Sequence, residues 1–306
     1  GEVQSARFST TFRTVDVAPT PVTSLAGAGY YPGARLSWTL PNITDLDQVI
    51  VRMATGSTPP SSITSGTGVY AGTGSSVTVS GVTAGTTYSF QVWVRDRSGK
   101  LSTGATLRLR LLATAQAISS SATTINYGGS VRVTGRLSRK DTGAVIAGAS
   151  VQLYGRRKGS TSWVLLGTAT SSSTGGLSFS HKPSWSLDYR WIYRGSPQFA
   201  GVVSANRAVS VRVVVSATLS KTSFARGGSV KLSGKVSPSH AGKTVYLQRY
   251  VGGKWTTVTS RKLSSTSSYS FTIKPSSRGT YKYRVYRPAD TDHLSGVSSV
   301  RTFKVY

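Results

Sequence analysis

Tyr127-Gly-Gly-Ser-Val-Arg-Val-Thr-Gly135 returns 99 residues later as Arg226-Gly-Gly-Ser-Val-Lys-Leu-Ser-Gly234. A glycine pair marks a turn. The alternation that follows, Val131 and Val133 against Arg132, or Val230 and Leu232 against Lys231, is the period of a half-buried strand. Further on, Ser162-Trp163-Val164 matches Lys254-Trp255-Thr256, and Leu177-Ser178-Phe179 matches Tyr269-Ser270-Phe271. Val209-Ser-Val-Arg-Val213 matches Arg301-Thr-Phe-Lys-Val305. The later matches are 92 residues apart, so the first copy carries a net insertion of seven before Trp163. A period of this size is a whole small domain, not one turn of a solenoid.

The composition agrees with an all-β chain. Of 306 residues only Glu2 is a glutamate and only Met53 a methionine, while Gly, Ser, Thr and Val abound. The residues that favour helices are scarce, and those that fit a pleated surface are plentiful. No cysteine is present, which excludes disulfides, Cys-ligated zinc and thiol nucleophiles. No apolar run approaches the length of a membrane-spanning helix. No signal peptide opens the sequence, so secretion requires a signal upstream of Gly1.

The charge is graded along the chain. Residues 1–113 carry +4, residues 114–215 carry +10 and residues 216–306 carry +14, for a total of +28. Such a gradient points to an anionic partner for the C-terminal half. Cell-wall polyanions, acidic polysaccharides, membrane surfaces and nucleic acid are the classes to weigh. The bland alternative is solubility.

Residues 17–113 resemble a fibronectin type III domain. The carrying segments are Pro21–Leu25, Arg35-Leu-Ser-Trp38, Asp47–Arg52, Val69-Tyr70, Val77–Val79, Gly85-Thr-Thr-Tyr88 through Arg95, and Ala105–Leu111. The resemblance implies that Trp38 is central core and that Tyr88 makes a tyrosine corner. Alternation alone puts Tyr88, Phe90, Val92 and Val94 on one face and leaves Trp93 on the other, partly covered. Residues 114–215 and 216–306 resemble the Ig-like sandwich repeats of bacterial secreted and surface proteins. The shared features are the Gly-Gly-Ser-Val opening, the mid-domain Trp, the Tyr-rich late strand and the closing valine strand. In that late strand Tyr189, Trp191 and Tyr193 face inward against Arg190, Ile192 and Arg194. In the other copy Tyr281, Tyr283 and Val285 oppose Lys282, Arg284 and Tyr286. Trp38, Trp163, Trp191 and Trp255 are therefore expected in cores, with Trp93 and Trp185 free to be exposed.

Residues 1–16 read as an orphan strand. Phe8, Thr10 and Phe12 alternate with Ser9, Thr11 and Arg13, and the segment aligns with Gly99–Arg110. It is expected to be the last strand of a preceding fibronectin-like domain, or a strand donated to another subunit through Phe8 and Phe12. The fold class expected is three tandem antiparallel β-sandwiches behind that strand. Linkers of a few residues near Asp16–Pro21, Ala113–Ala117 and Val215–Ala217 would make a semi-rigid array.

Catalytic chemistry finds little support. The histidines, His181, His240 and His293, are scattered. Asp290-x-Asp292-His293 is the one triplet at metal-ligand spacing, and aspartates in such loops more often form turns, so no metal is expected. Asp45 and Asp47 read the same way. A glycosidase needs paired carboxylates, and the last two domains hold two acids each. No nucleophile elbow, P-loop or dinucleotide fingerprint occurs. No catalytic residue and no cofactor is expected.

Binding is the better prospect. Arg156-Arg157-Lys158 follows a strand ending at Tyr154 and is expected at a hairpin tip. Arg249-Tyr-Val-Gly-Gly-Lys254 is its counterpart, and Arg261-Lys262 lies on the next strand. Arg132, Arg136, Lys231 and Lys235 should project outward, opposite the valine face. Aligned, these residues would form a basic stripe for an anionic cell-envelope polymer or polysaccharide. Lysines that discourage edge pairing are the plainer account. Specific nucleic-acid binding is not expected, for want of a recognition helix or a stacking platform. The leading expectation is a non-catalytic, extracellular structural or adhesive module array of a bacterial surface or filament protein. The alternative is the C-terminal accessory region of a secreted hydrolase, attached to wall or polysaccharide.

Overall fold

Why the glycine-framed motif recurs is visible in its backbone. The computed structural model describes residues 16–306. Gly128 and Gly227 sit at φ 87° and 89°, the left-handed region open to glycine, and turn the chain into the strands that follow. A Cβ at Gly135 would meet the Ala117 carbonyl oxygen at 2.7 Å, and one at Gly234 the Ser216 carbonyl oxygen at 1.9 Å. Each closing glycine lets the chain before the motif press against it. The Tyr269 hydroxyl donates to that same Ser216 carbonyl.

Two units divide the chain, one comprising the residues up to Thr114 with Arg194–Val202, the other Ala115–Tyr193 with Val203–Tyr306. In the first lie β1 (Thr23–Tyr30), β2 (Gly33–Thr39), β3 (Leu46–Thr55), β4 (Thr67–Gly72), β5 (Ser76–Val79), β6 (Thr87–Asp96) and β7 (Ala105–Arg110). Sheets β1-β2-β5 and β4-β3-β6-β7 share one core. Leu36 and Trp38 meet Val49, Val51, Phe90, Val92 and Leu109 in it. The Tyr88 hydroxyl accepts from the Thr83 N–H at 3.1 Å and donates to the Gly81 carbonyl at 3.3 Å, pinning the turn before β6.

The first repeat runs through β8 (Thr114–Ser120), β9 (Thr124–Asn126), β10 (Val131–Arg139), β11 (Ser150–Arg157), β12 (Val164–Thr170), β13 (Gly176–His181), β14 (Leu187–Tyr193), β15 (Val202–Val203) and β16 (Arg207–Arg212), and β17 (Val214–Val215) opens the second. The second continues through β18 (Thr218–Leu219), β19 (Ser223–Phe224), β20 (Val230–Ser237), β21 (Thr244–Val251), β22 (Lys254–Lys262), β23 (Ser268–Ile273), β24 (Gly279–Arg287), β25 (Gly296–Val297) and β26 (Arg301–Val305). Sheet β13-β10-β8 is matched by β20 with β17, β18 and β23. Sheet β12-β11-β14-β16-β9 is matched by β22-β21-β24-β26-β19. The molecule is all-β, built of several small sheets in the manner of tandem β-sandwiches.

Several expectations need correction. The sandwiches are not wholly antiparallel: β9 runs parallel to β16, and β19 to β26. The opening strand of each repeat pairs with one sheet and then crosses to the edge of the other, so its second piece lies beside the last strand in the same sense. Of the segments expected as linkers, Ala113–Ala117 is largely strand, since β8 begins at Thr114, whereas Asp16–Pro21 contains no strand and Val215–Ala217 only Val215. The repeat displacement on the closing strands is 94, not 92. Leu187 pairs with Val209 as Tyr281 pairs with Phe303, and the Ser204 hydroxyl accepts from Trp191 N–H as Ser298 does from Val285. Trp191 thus corresponds to Val285. A slip of two residues leaves every side chain on its face, which is why the inward set was still read correctly.

The tryptophans divide differently from expectation. Trp38 and Trp191 are core. Trp93 lies off the core face but is buried, with Ile50 directly opposite it on β3. Trp163 and Trp255 are half-buried, on the outer faces. Trp185 is exposed, as expected. Phe8, Phe12 and the orphan-strand reading lie outside the described residues. No helix among the described residues is long and apolar enough to cross a membrane.

Candidate functional site: arginines seated on tryptophan

The inward faces of β11 and β14 are taken by Val151, Leu153, Tyr189 and Trp191. Period two then sends Arg156 and Arg190 outward. There they find Trp163, which the chain delivers just before edge strand β12. The Arg190 guanidinium lies 4.0 Å from the indole centroid and that of Arg156 4.7 Å. Asp188 takes the charge of Arg156 in an ion pair of 2.9 Å. Among the described residues Arg190 has no such carboxylate in an ion pair, and its Nε is buried without a hydrogen-bond partner.

The second repeat rebuilds the arrangement with different neighbours. Arg284, 94 residues after Arg190, lies 4.4 Å over Trp255 and donates to Gln248 Oε1 at 2.8 Å. Tyr250 packs against the same indole at 5.2 Å, and Tyr246 and Tyr286 pair at 6.4 Å on that outer face. A guanidinium over an indole gains about 0.5–1 kcal/mol at an exposed site. It also fixes the plane of the fork, so less side-chain entropy remains to be lost when the fork binds an anion. Bidentate contact with a carboxylate, sulfate or phosphate is the chemistry it offers.

The sequence-predicted residues are spread over several surfaces. Arg156 and Arg157 are not at a hairpin tip. Strand β11 continues to Arg157, paired with Asp188 and Leu187 of β14, because those partners extend the ladder past Tyr154. Lys158 starts the turn and is exposed. Arg157 is engaged, donating from Nε to Asp292 at 2.7 Å and lying 4.6 Å over Trp185. That bond holds the Asp292 carboxyl below the ordinary carboxylate range. Lys231 and Lys235 point outward from β20, as do Arg132 and Arg136 from β10, on the sheets that do not carry the Trp–Arg pairs. Arg249 is half-buried on the core side of β21, 4.5 Å over Tyr281. Lys254, Arg261 and Lys262 are exposed along edge strand β22. These residues form no single stripe.

What the sequence reading missed is the pairing of Trp163 and Trp255 with Arg190 and Arg284. The available signal was an outward arginine at the same place in both late strands, beside a tryptophan common to both copies.

Carboxylates are mostly consumed by ion pairs. Asp47 meets Arg95 at 2.6 Å, Asp141 meets Arg139 at 2.6 Å, and Asp16 meets Lys100 at 3.4 Å. Asp96 is held below the usual range, first by the Ser98 hydroxyl and then, against the effect of burial, by backbone N–H groups.

No protein-family model matches the chain, and no curated protein matches it. Among solved structures, the chain is similar to a crystal structure of a tetra-tandem repeat in the extending region of a large adhesion protein. Sequence identity is 17%, the match covers 92% of this chain and 74% of that one, and the TM-score is 0.33.

Proposed function

We propose that the chain is a non-catalytic, extracellular array of β-sandwich modules whose basic repeats hold it to an anionic envelope polymer. The observation that carries this reading is the arginine seated on tryptophan on the outer face of both repeats. The core does not require it, and it recurs with different supporting residues. The charge gradient supports it, since residues 114–306 carry nearly all of the net +28. Long-range attraction gathers a polyanion on that half, and the oriented forks supply short-range contacts. The consumption of most carboxylates in ion pairs supports a role without acid–base catalysis.

The test is retention of the full chain on heparin and on purified bacterial cell wall across a salt gradient. Polyanion binding releases counterions, and each contact contributes about 0.9 to the slope of log K against log salt. Arg190→Gln with Arg284→Gln should lower that slope by about two contacts' worth. Arg190→Lys with Arg284→Lys keeps the charge and loses the flat fork, and should weaken binding with little change in slope. Arg35→Gln with Arg108→Gln, in the first unit, should leave retention unchanged. Equal loss in all three double variants would overturn the reading.

A further inference from the structure

Asp290, in the segment after β24, meets two histidine rings. The Asp290 carboxylate is held in place by its own turn, with Oδ1 accepting from the N–H groups of Asp292 at 3.0 Å and His293 at 2.9 Å. Arg287 donates to Oδ2 at 2.7 Å. His240, fifty residues earlier in the loop after β20, brings Nε2 to 3.0 Å from Oδ2. His293 brings Nδ1 to 3.6 Å from Oδ1. Both imidazoles are 6% exposed.

The far side of each ring fixes its tautomer. His240 Nδ1 lies 2.8 Å from the Pro238 carbonyl oxygen, and His293 Nε2 lies 2.8 Å from that of Ser184. A carbonyl only accepts, so each of these nitrogens carries a hydrogen. In the neutral rings the opposite nitrogens then turn their lone pairs on the carboxylate. Neither neutral ring then offers the carboxylate a donor, and His293 Nδ1 is buried without a hydrogen-bond partner. A ring that donates its outer N–H to a carbonyl while its inner nitrogen faces a cluster of ligands is the usual second-sphere arrangement of a metal-bound histidine.

We propose that His240 Nε2, His293 Nδ1 and Asp290 form a site for a divalent transition-metal ion, zinc being the best fit. Their ligand atoms all lie within 4.8 Å of one another. Ligands about 2.1 Å from a tetrahedral metal stand about 3.4 Å apart, and His240 Nε2 lies 3.0 Å from Oδ2, near that value. Two imidazoles and one carboxylate select zinc, cobalt or nickel over calcium or magnesium, which take oxygen ligands. Oδ2, with Arg287 as its donor, keeps a lone pair for the metal while Oδ1 stays on the two backbone N–H groups, and the guanidinium charge sets the affinity below that of a site without it. The fourth position opens on a cleft lined by Arg157, Trp185, Lys243 and Asp292, leaving room for water. The sequence triplet is thus corrected: Asp292 pairs with Arg157, and the third ligand comes from a distant loop.

The ion would hold the segment that joins the two repeats inside the second unit. Besides His293 on Ser184, Asp292 accepts from the Ser186 N–H at 2.8 Å, and Leu294 exchanges bonds with Val211 and Val213 at 2.8 and 3.2 Å.

The full chain, stripped with chelator, would be titrated with zinc chloride by calorimetry near neutral pH and with cobalt chloride by visible absorption. One equivalent should bind, cobalt should show the intense d–d bands of low coordination, and zinc should raise the unfolding midpoint. His240→Ala, His293→Ala and Asp290→Asn should each weaken zinc at least tenfold. His181→Ala, whose ring bonds Tyr189 at 2.8 Å, should not. The cobalt spectrum of the unaltered chain tests the site even if a variant fails to fold. Absence of saturable zinc and cobalt uptake by the folded chain would overturn the proposal, as would undiminished uptake by the variants. The cluster would then be a histidine–aspartate pair balanced by protons. Either result leaves the polyanion reading standing.

Discussion

In the first repeat Trp191 fills the core where the second repeat has Val285. In the first, the segment after the late strand carries Ser196 and Phe199. In the second, the positions 94 residues on are Asp290 and His293. The backbone bonds are the same: Ser196 N–H donates to the Phe199 carbonyl at 2.9 Å, and Asp290 N–H to that of His293 at 3.0 Å. Ala200 N–H donates to Leu112, and Leu294 N–H to Val211. A β-ladder is specified by main-chain groups that every residue but proline carries. Side chains can therefore be exchanged on it, so long as each fills its volume or finds a partner. One repeat spends the position on apolar bulk and the other on charge.

The largest effect should come from the core exchange. Trp191→Ala should cost about 3–5 kcal/mol, measured by urea unfolding. Val285→Ala removes far less volume and should cost about 1.5–3 kcal/mol. Equal costs would mean that the surroundings collapse around the tryptophan cavity, and the comparison by volume would break.

The next effect tests the segment that the first unit takes up. Gly195 has φ 105°, and a Cβ there would fall 2.5 Å from the Gly29 carbonyl carbon. The second copy has Ala289 at that place, outside the left-handed region. Gly195→Ala should therefore cost about 1–3 kcal/mol. It should also loosen the Gly29–Ser196 and Tyr31–Arg194 hydrogen bonds, both 2.8 Å, which amide exchange would detect. An unchanged exchange rate at Gly29 and Tyr31 would show that the two segments do not differ in backbone demand.

The smallest effect separates the segments by pH. Asp292 has a lowered pKa, chiefly through Arg157, whereas the first copy has neutral Gln198. A carboxyl with a depressed folded pKa contributes stability above its unfolded value of about 3.9 and loses it as pH falls through the folded value. Arg157 is half-exposed, so the contribution should be under about 1 kcal/mol. Asp292→Asn should lower the unfolding midpoint near neutrality, and the gap to the unaltered chain should close below about pH 4. A gap that persists in acid would assign the effect to the Asp292 backbone, which bonds Ser186, and not to the ion pair.

Much of the fold was legible. The inward sets Tyr88, Phe90, Val92, Val94 and Tyr189, Trp191 follow from alternation over a few bonds, as do outward Lys231 and Lys235. Recurrence in both copies points Trp163 and Trp255 to the core by pattern alone, whereas the structure leaves both half-buried on an outer face. Recurrence is equally the mark of a shared outer contact, and the arginine in question arrives from a strand some thirty residues away. Trp93 was placed on the right face, but its burial depends on neighbours that alternation does not identify. The Asp290 cluster was half visible: Asp290 and His293 lie three apart in sequence, whereas His240 reaches them only when two loops meet.

The sequence by itself determined that the chain is β-rich, that a domain-sized unit repeats, and which face of each strand turns inward. These follow from covalent geometry, where side chains alternate every residue and a slip of two changes nothing. Tertiary structure alone decided what covers the outward face: arginine on tryptophan, Arg157 on Asp292, two histidines on one carboxylate. Those contacts join residues distant in the chain, and their energies come from distance, orientation and the exclusion of water, none of which a local pattern encodes.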